Sequence, residues 1–259
     1  MSGNRRTPVP PLPATELPVV ELFSSMQGEG PWVGCRQVFL RLADCNLDCR
    51  YCDTPHTAGE TCRIEDDPGS GRFLEQPSPM ALAEICHILQ HWQQIAPGLH
   101  HSLSLTGGEP LVHGEALRLW LPELREYLPI YLETNGTLAH ALEPLLPHID
   151  IISVDLKMPS VAGGSPLWAE HRRFLQLAWN LPGYVKAVVS EETPLSEVEE
   201  AARLMAEEAE HRDLILQPVT IHGRPAVSGK RLMQLQRFAT SIHPHVRVIP
   251  QTHPSLNVL

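Results

Sequence analysis

Residues 37–54 read QVFLRLADCNLDCRYCDT, and the fold follows from this stretch. An apolar run from Gln37 to Ala43 has the pattern of a strand and leads into three cysteines, Cys45, Cys49 and Cys52, spaced C-x3-C-x2-C. A loop leaving a strand can turn three sulfurs toward one point. Structural zinc wants four ligands, and neither a second C-x2-C nor a histidine pair follows downstream. Three thiolates holding an iron–sulfur cluster leave one iron open to a ligand that is not protein. The spacing favours the cluster, with zinc and unligated thiols as the alternatives.

Further apolar runs flank this stretch: VVELF at 19–23, HSLSLT at 101–106, PIYLET at 129–134, DIISVDL at 150–156, YVKAVVS at 184–190, LILQPV at 214–219 and VRVIP at 246–250. Each reads as a strand. Helical candidates between them include Pro79 to Ile95 with Ser78 as cap, Leu195 to Glu210, and Ser228 to Thr240. Strand–helix repetition predicts a parallel α/β sheet, and about six such units predict a partial (β/α)6-type barrel with some helices shortened. Chemistry is then expected where strands end, and polar or glycine-rich clusters do follow them: TGGEP at 106–110, ETNG at 133–136, DLKMPS at 155–160 and QTHPS at 251–255. Residues 1–17 hold four prolines and read as a flexible arm, 18–259 as one domain, and 58–76 as a loop insertion.

The chain has 259 residues, 42% of them hydrophobic, and a formal net charge of -10. That balance offers no general attraction to a phosphate backbone, so no nucleic-acid partner is expected. No run is long enough for a membrane helix and no signal segment opens the chain, which predicts a cytoplasmic protein. Six cysteines are too few for a disulfide scaffold.

The cysteine loop, with Tyr51 just before its last cysteine, resembles that of the radical S-adenosylmethionine superfamily. A second mark is Thr106-Gly107-Gly108-Glu109-Pro110 after a later strand. Membership implies a 4Fe-4S cluster on Cys45, Cys49 and Cys52, with S-adenosylmethionine on the open iron. Within the superfamily, Ser25-Met26-Gln27-Gly28-Glu29-Gly30, Arg41 ahead of the cysteines, Asp53-Thr54 after them, and Pro250-Gln251-Thr252-His253-Pro254 resemble the 7-carboxy-7-deazaguanine synthase family. That resemblance implies ring contraction of 6-carboxy-5,6,7,8-tetrahydropterin with loss of ammonia, a magnesium ion (Mg2+), a flavodoxin-like electron donor and a homodimer.

The substrate offers a planar donor–acceptor edge and a carboxylate. Gln27 and the backbone beside Gly28 suit the edge, and the planar fork of Arg41 suits the acid. The resemblance extends substrate contact to Met26, Glu29, Thr106, His253 and Pro254, and assigns Mg2+ to Thr54. Cofactor contacts are implied for Tyr51, Asp53, Gly107, Gly108 and Glu109, and for Glu133, Asn135, Ser153, Lys157 and Gln217 at later strand ends. Asp155 either holds the ribose hydroxyls or pairs with Lys157. Of the 14 histidines, only His253 is singled out; the rest are expected at the surface. Two rivals are a radical activase acting on a protein and a metal-binding module without catalysis.

Overall fold

The computed structural model describes residues 15–52, 59–256 and 258 of the chain. Its frame is a ten-stranded sheet: β1 (Val19–Met26), β2 (Arg36–Leu42), β3 (Thr61–Glu65), β4 (Phe73–Pro77), β5 (Ser102–Gly107), β6 (Ile130–Thr134), β7 (Ile151–Leu156), β8 (Gly183–Val189), β9 (Leu214–Pro218) and β10 (Val246–Val248). The order is β10-β9-β8-β7-β6-β5-β2-β1-β3-β4, and β10 does not pair back onto β4, so the curved sheet stays open. From β2 to β10 every pairing in that order is parallel. The longer helices are α1 (Leu82–Ile95), α2 (Gly114–Arg125), α3 (Trp168–Ala178), α4 (Leu195–Glu208) and α5 (Gly229–Thr240). Between β6 and β7 a four-residue helix, Ala139–Leu142, and a 3-10 turn, Glu143–His148, replace a full helix. The α/β partial barrel with a shortened helix is the architecture expected from the strand–helix rhythm.

Three local expectations are corrected. β1 runs antiparallel to β2, because the nine residues between them cannot make a crossover and fold as a turn through Gly30–Trp32. The 58–76 insertion is a β3–β4 hairpin over most of its described part, extending the sheet beyond β1. Its alternation of buried Cys62 and Ile64 with exposed Thr61 and Arg63 is a strand signal that its glycines mask. Helix α1 starts at Leu82, not Pro79: Ala81 is the cap residue, its N–H given to Glu84 Oε2 at 2.7 Å, while Ser78 Oγ donates to Val19 O at 2.8 Å. Residues 1–14 of the expected arm lie outside the described residues, and Glu16–Leu17 at its end pair with Met80–Ala81.

Side chains alternate across each strand, and the two faces have separate fates. Outward residues such as Leu132, Val154, Val185 and Leu214 join Trp120, Phe174 and Met205 from the helices in one continuous core. Each such fully buried side chain contributes roughly 1.5–3 kcal/mol. Inward residues at the start of the strands, Tyr131, Ile151, Tyr184 and Ile215, pack with Trp32 and Ile249 into a separate plug. Two positions further on, the inward residues are Glu133, Ser153, Lys186 and Gln217, and all four line a cavity. The plug thus floors a polar site at the C-terminal ends of the parallel strands.

Candidate functional site

The cavity has a volume of about 360 Å³. Its walls include Cys45, Cys49, Tyr51 and Cys52 from the loop after β2, Gly107 and Gly108 at the end of β5, Glu133 and Asn135 at β6, and Ser153, Asp155 and Lys157 at β7. Met26, Gln27, Gly28 and Glu29 close one side, joined by Arg41, Thr106, Gln217 and His253. Asp53 and Thr54 lie outside the described residues.

The paired glycines explain how the cysteine loop is held. A Cβ on Gly107, where φ is +126°, would fall 2.1 Å from Leu42 O, and one on Gly108 would fall 1.8 Å from Asp44 O. Their absence lets Gly108 N donate to Leu42 O at 3.0 Å and Glu109 N to Asp44 O at 2.8 Å. Burial, against a bond from Leu47 N and with the charge of Glu109 added, pushes the Cys45 thiol pKa up to about 11, and burial moves Cys49 the same way against the pull of Lys157. Among the described residues no three potential ligands are gathered tightly enough for a single metal ion. Cys45, Cys49 and Cys52 line one cavity from a single loop, a donor set that fits an iron–sulfur cluster with one iron left open.

A ladder of buried charge crosses the cavity. Lys157 Nζ donates to Asp155 Oδ2 at 2.7 Å and to Tyr51 OH at 3.2 Å. Burial opposes the Lys157 ammonium, yet Asp155, Tyr51 and Cys49 hold its pKa well above the usual lysine value. Asp155 Oδ1 is buried without a partner, as are Gln217 Oε1 and Thr220 Oγ1. Unpaired acceptors of this kind are costly unless a ligand donates to them. Glu29 accepts from Gln251 Nε2 at 2.7 Å, from Gln217 Nε2 at 3.0 Å and from Lys186 Nζ. Burial would raise its pKa, but the charge and hydrogen bond of Lys186, with the two amides, bring it down to about 2.

Several expected residues have other work. Gln27 does not offer a donor to a ligand: its Nε2 gives one bond to Gln37 Oε1 at 3.0 Å and one to Glu133 Oε1 at 2.9 Å, and its Oε1 accepts from Glu29 N. A primary amide has only two such hydrogens. Glu109 does not line the cavity; it is fully buried behind it, accepting from Thr134 Oγ1, Asn135 N and Leu111 N. Burial, opposed by those bonds, raises its pKa to about 7. Pro254 also stands off the cavity, near Gly223, while His253 packs over Gly28 and Thr252 N donates to Gly28 O at 2.9 Å. Arg41 lines the cavity with its Nε on Glu21 Oε1 at 2.8 Å, and that ion pair orients the guanidinium. Lys186 and Gln251 were not singled out as site residues: one lies inside a strand, and the other reaches the site through the final turn.

The radical SAM superfamily signature matches residues 42–205, which spans more than half the chain. A 7-carboxy-7-deazaguanine synthase of Geobacter sulfurreducens is 46% identical over 235 residues, covering 90% of this chain and 94% of the relative. One from Methanothermobacter thermautotrophicus is 33% identical, covering 93% and 97%. Among solved structures, QueE from Escherichia coli superposes with a TM-score of 0.59 at 20% identity over 92% of this chain and 95% of that one, which speaks for the fold. Both relatives match over nearly their whole length, which favours this family over the activase and binding-module alternatives. The chain therefore belongs to the 7-carboxy-7-deazaguanine synthase family of the radical SAM superfamily.

Proposed function

We propose that this chain converts 6-carboxy-5,6,7,8-tetrahydropterin to 7-carboxy-7-deazaguanine with release of ammonia. The observation that carries this reading is one cavity holding three cluster-type cysteines together with an ionised Glu29 and an Arg41 oriented by Glu21. The 4Fe-4S cluster and S-adenosylmethionine, when bound, supply a 5′-deoxyadenosyl radical for hydrogen removal from the substrate.

The chain's residues do the positioning. Cys45, Cys49 and Cys52 would hold the cluster, and the acceptors Asp155 Oδ1, Gln217 Oε1 and Thr220 Oγ1 suit the hydroxyl and amino groups of the ligands. Glu29 is an acceptor for the N–H groups of the pterin edge, and Arg41 clamps the carboxylate. Holding the reacting carbon close to the radical source in a shaped, water-poor cavity is the protein's part of the rate. Thr54 as a Mg2+ ligand, a flavodoxin-like donor, a homodimer and a cytoplasmic setting belong to the same reading; among the described residues no helix could cross a membrane.

The test is anaerobic turnover by protein reconstituted with iron and sulfide, given S-adenosylmethionine, Mg2+, a reductant and the pterin, with products followed by mass spectrometry. Appearance of 7-carboxy-7-deazaguanine supports the reading. Formation of 5′-deoxyadenosine alone keeps the cluster and rejects the substrate.

A further inference from the structure

Lys186 occupies an unusual place for an ammonium group. It sits in the middle of the apolar strand β8, GYVKAVV, with Tyr184 and Val188 on the same inward face. Its side chain is 12% exposed. Register places it beside Asp155 on β7, and Nζ lies 3.8 Å from Asp155 Oδ2 while donating to Glu29 Oε2. Taking a cation out of water is costly, and an apolar side chain would fill this position at no such cost. The placement calls for a role.

The same strand face shapes the loop that carries Glu29. Tyr184 lies against Gly30, where φ is +61° and an added Cβ would fall 2.1 Å from the ring. One position earlier in the loop, the Glu29 carboxylate meets Lys186. Strand β8 therefore presents a ring under Gly30 and an ammonium under Glu29, so the strand face shapes the course of the loop. Gln217 on β9 and Gln251 after β10 complete the set of donors to Glu29.

From these contacts we propose that Lys186 is a positioning residue for substrate recognition: it holds the Glu29 carboxylate aligned toward the pterin edge, and links that carboxylate to Asp155 on the cofactor side. This rests on the substrate reading above. The charges run in alternating order Glu29, Lys186, Asp155, Lys157, ending on the Tyr51 hydroxyl in the cysteine loop. Other titratable groups facing Glu29 and Lys186 are Tyr184 on β8, Glu133 and Tyr131 on β6, and His253 over Gly28. Among the described residues only Lys186 is in direct ionic contact with Glu29, so removing it leaves a buried carboxylate held by two neutral amides.

The experiment compares the reconstituted enzyme with Lys186→Gln, Lys186→Arg and the double variant Glu29→Gln/Lys186→Gln, across roughly pH 6 to 8. The expected result for Lys186→Gln is a pterin KM raised about 30-fold or more, rising further as pH falls because the unsupported Glu29 takes up a proton. S-adenosylmethionine affinity and iron content should stay within about threefold of the parent, and Lys186→Arg should restore most of the KM. The double variant removes both charges, so it remains testable if the single variant does not fold; its KM loss should be no greater than that of Lys186→Gln and independent of pH. A KM and pH profile like the parent's in the Lys186→Gln enzyme, or an equal loss of S-adenosylmethionine affinity, overturns the proposal. A parent enzyme inert toward the pterin instead overturns the functional reading and this inference with it, and that outcome is visible before any variant is measured.

Discussion

His171 Nε2 accepts the backbone N–H of Lys157 at 3.2 Å, and the opposite ring nitrogen, Nδ1, lies 3.1 Å from Gly136 O. A neutral imidazole protonated on Nδ1 satisfies both contacts, donating to Gly136 and accepting from Lys157. The ring is fully buried on α3 and ties the turn after β6, which carries Asn135, to the turn after β7, which carries Lys157. Along the chain it reads as one more surface histidine; what marks it as buried is the apolar face of α3 that it shares with Phe174 and Leu175.

That clamp makes His171 a pH-sensitive part of the fold. Burial, against the bond to Gly136, lowers its pKa to about 4 from an ordinary 6.5. The unfolded chain therefore binds a proton that the native state refuses, so its contribution is intact above about pH 6.5 and is lost as pH falls toward 4. The expected loss is about 3 kcal/mol from this group. Denaturant melts of the parent and His171→Asn at pH 7 and pH 5 check it: the variant should be about 2 kcal/mol less stable at pH 7 and should lose less on acidification. Equal pH slopes for the two proteins would refute the assignment.

Replacing Cys45, Cys49 or Cys52 with Ala should remove bound iron and turnover together. Iron per chain and the visible absorption of the reconstituted protein are the readouts. Retained cluster in any one variant would show that the sulfur concerned is not a ligand.

Gly108→Ala should be among the most damaging small substitutions in the chain. Its Cβ would meet the Asp44 carbonyl at 1.8 Å, a backbone atom that cannot turn aside. The cost is expected at about 4 kcal/mol or more, with iron content falling because Asp44 immediately precedes Cys45. Gly229→Ala, where an added Cβ meets nothing within 4 Å, is the control and should melt as the parent does.

Arg41→Gln should raise the pterin KM about 30-fold while leaving cleavage of S-adenosylmethionine uncoupled from substrate. Glu21→Gln should give a smaller effect of the same kind, since Glu21 only orients the guanidinium through Nε. An unchanged KM in Arg41→Gln would remove this side chain from the substrate pocket.

Every apolar run read as a strand is one, and helix α5, expected from Ser228, begins one residue later at Gly229 with Ser228 as its cap, Ser228 Oγ accepting from Arg231 N at 3.2 Å. Those features are local, so they can be read from neighbours in the chain. Most cavity residues were found too, because in this fold chemistry gathers where strands end. Lys186 was missed by the same rule: it lies within β8, and only the inward alternation above the Tyr184 plug marks it. The 58–76 hairpin was missed because its glycines and charges outweighed a short alternation.

By itself the sequence determined the C-x3-C-x2-C loop after β2, the strand–helix rhythm and the family, since each is written in spacing along the chain. Only the tertiary structure decided which polar side chains remain available. Gln27 and Glu109 carry the right groups, but their partners come from Gln37, Glu133, Thr134 and Asn135, distant in sequence, and those bonds consume the donors of Gln27 and place Glu109 behind the wall. Hydrogen-bonding capacity is finite and is spent by whatever the fold brings within about 3 Å, a quantity no reading along the chain contains.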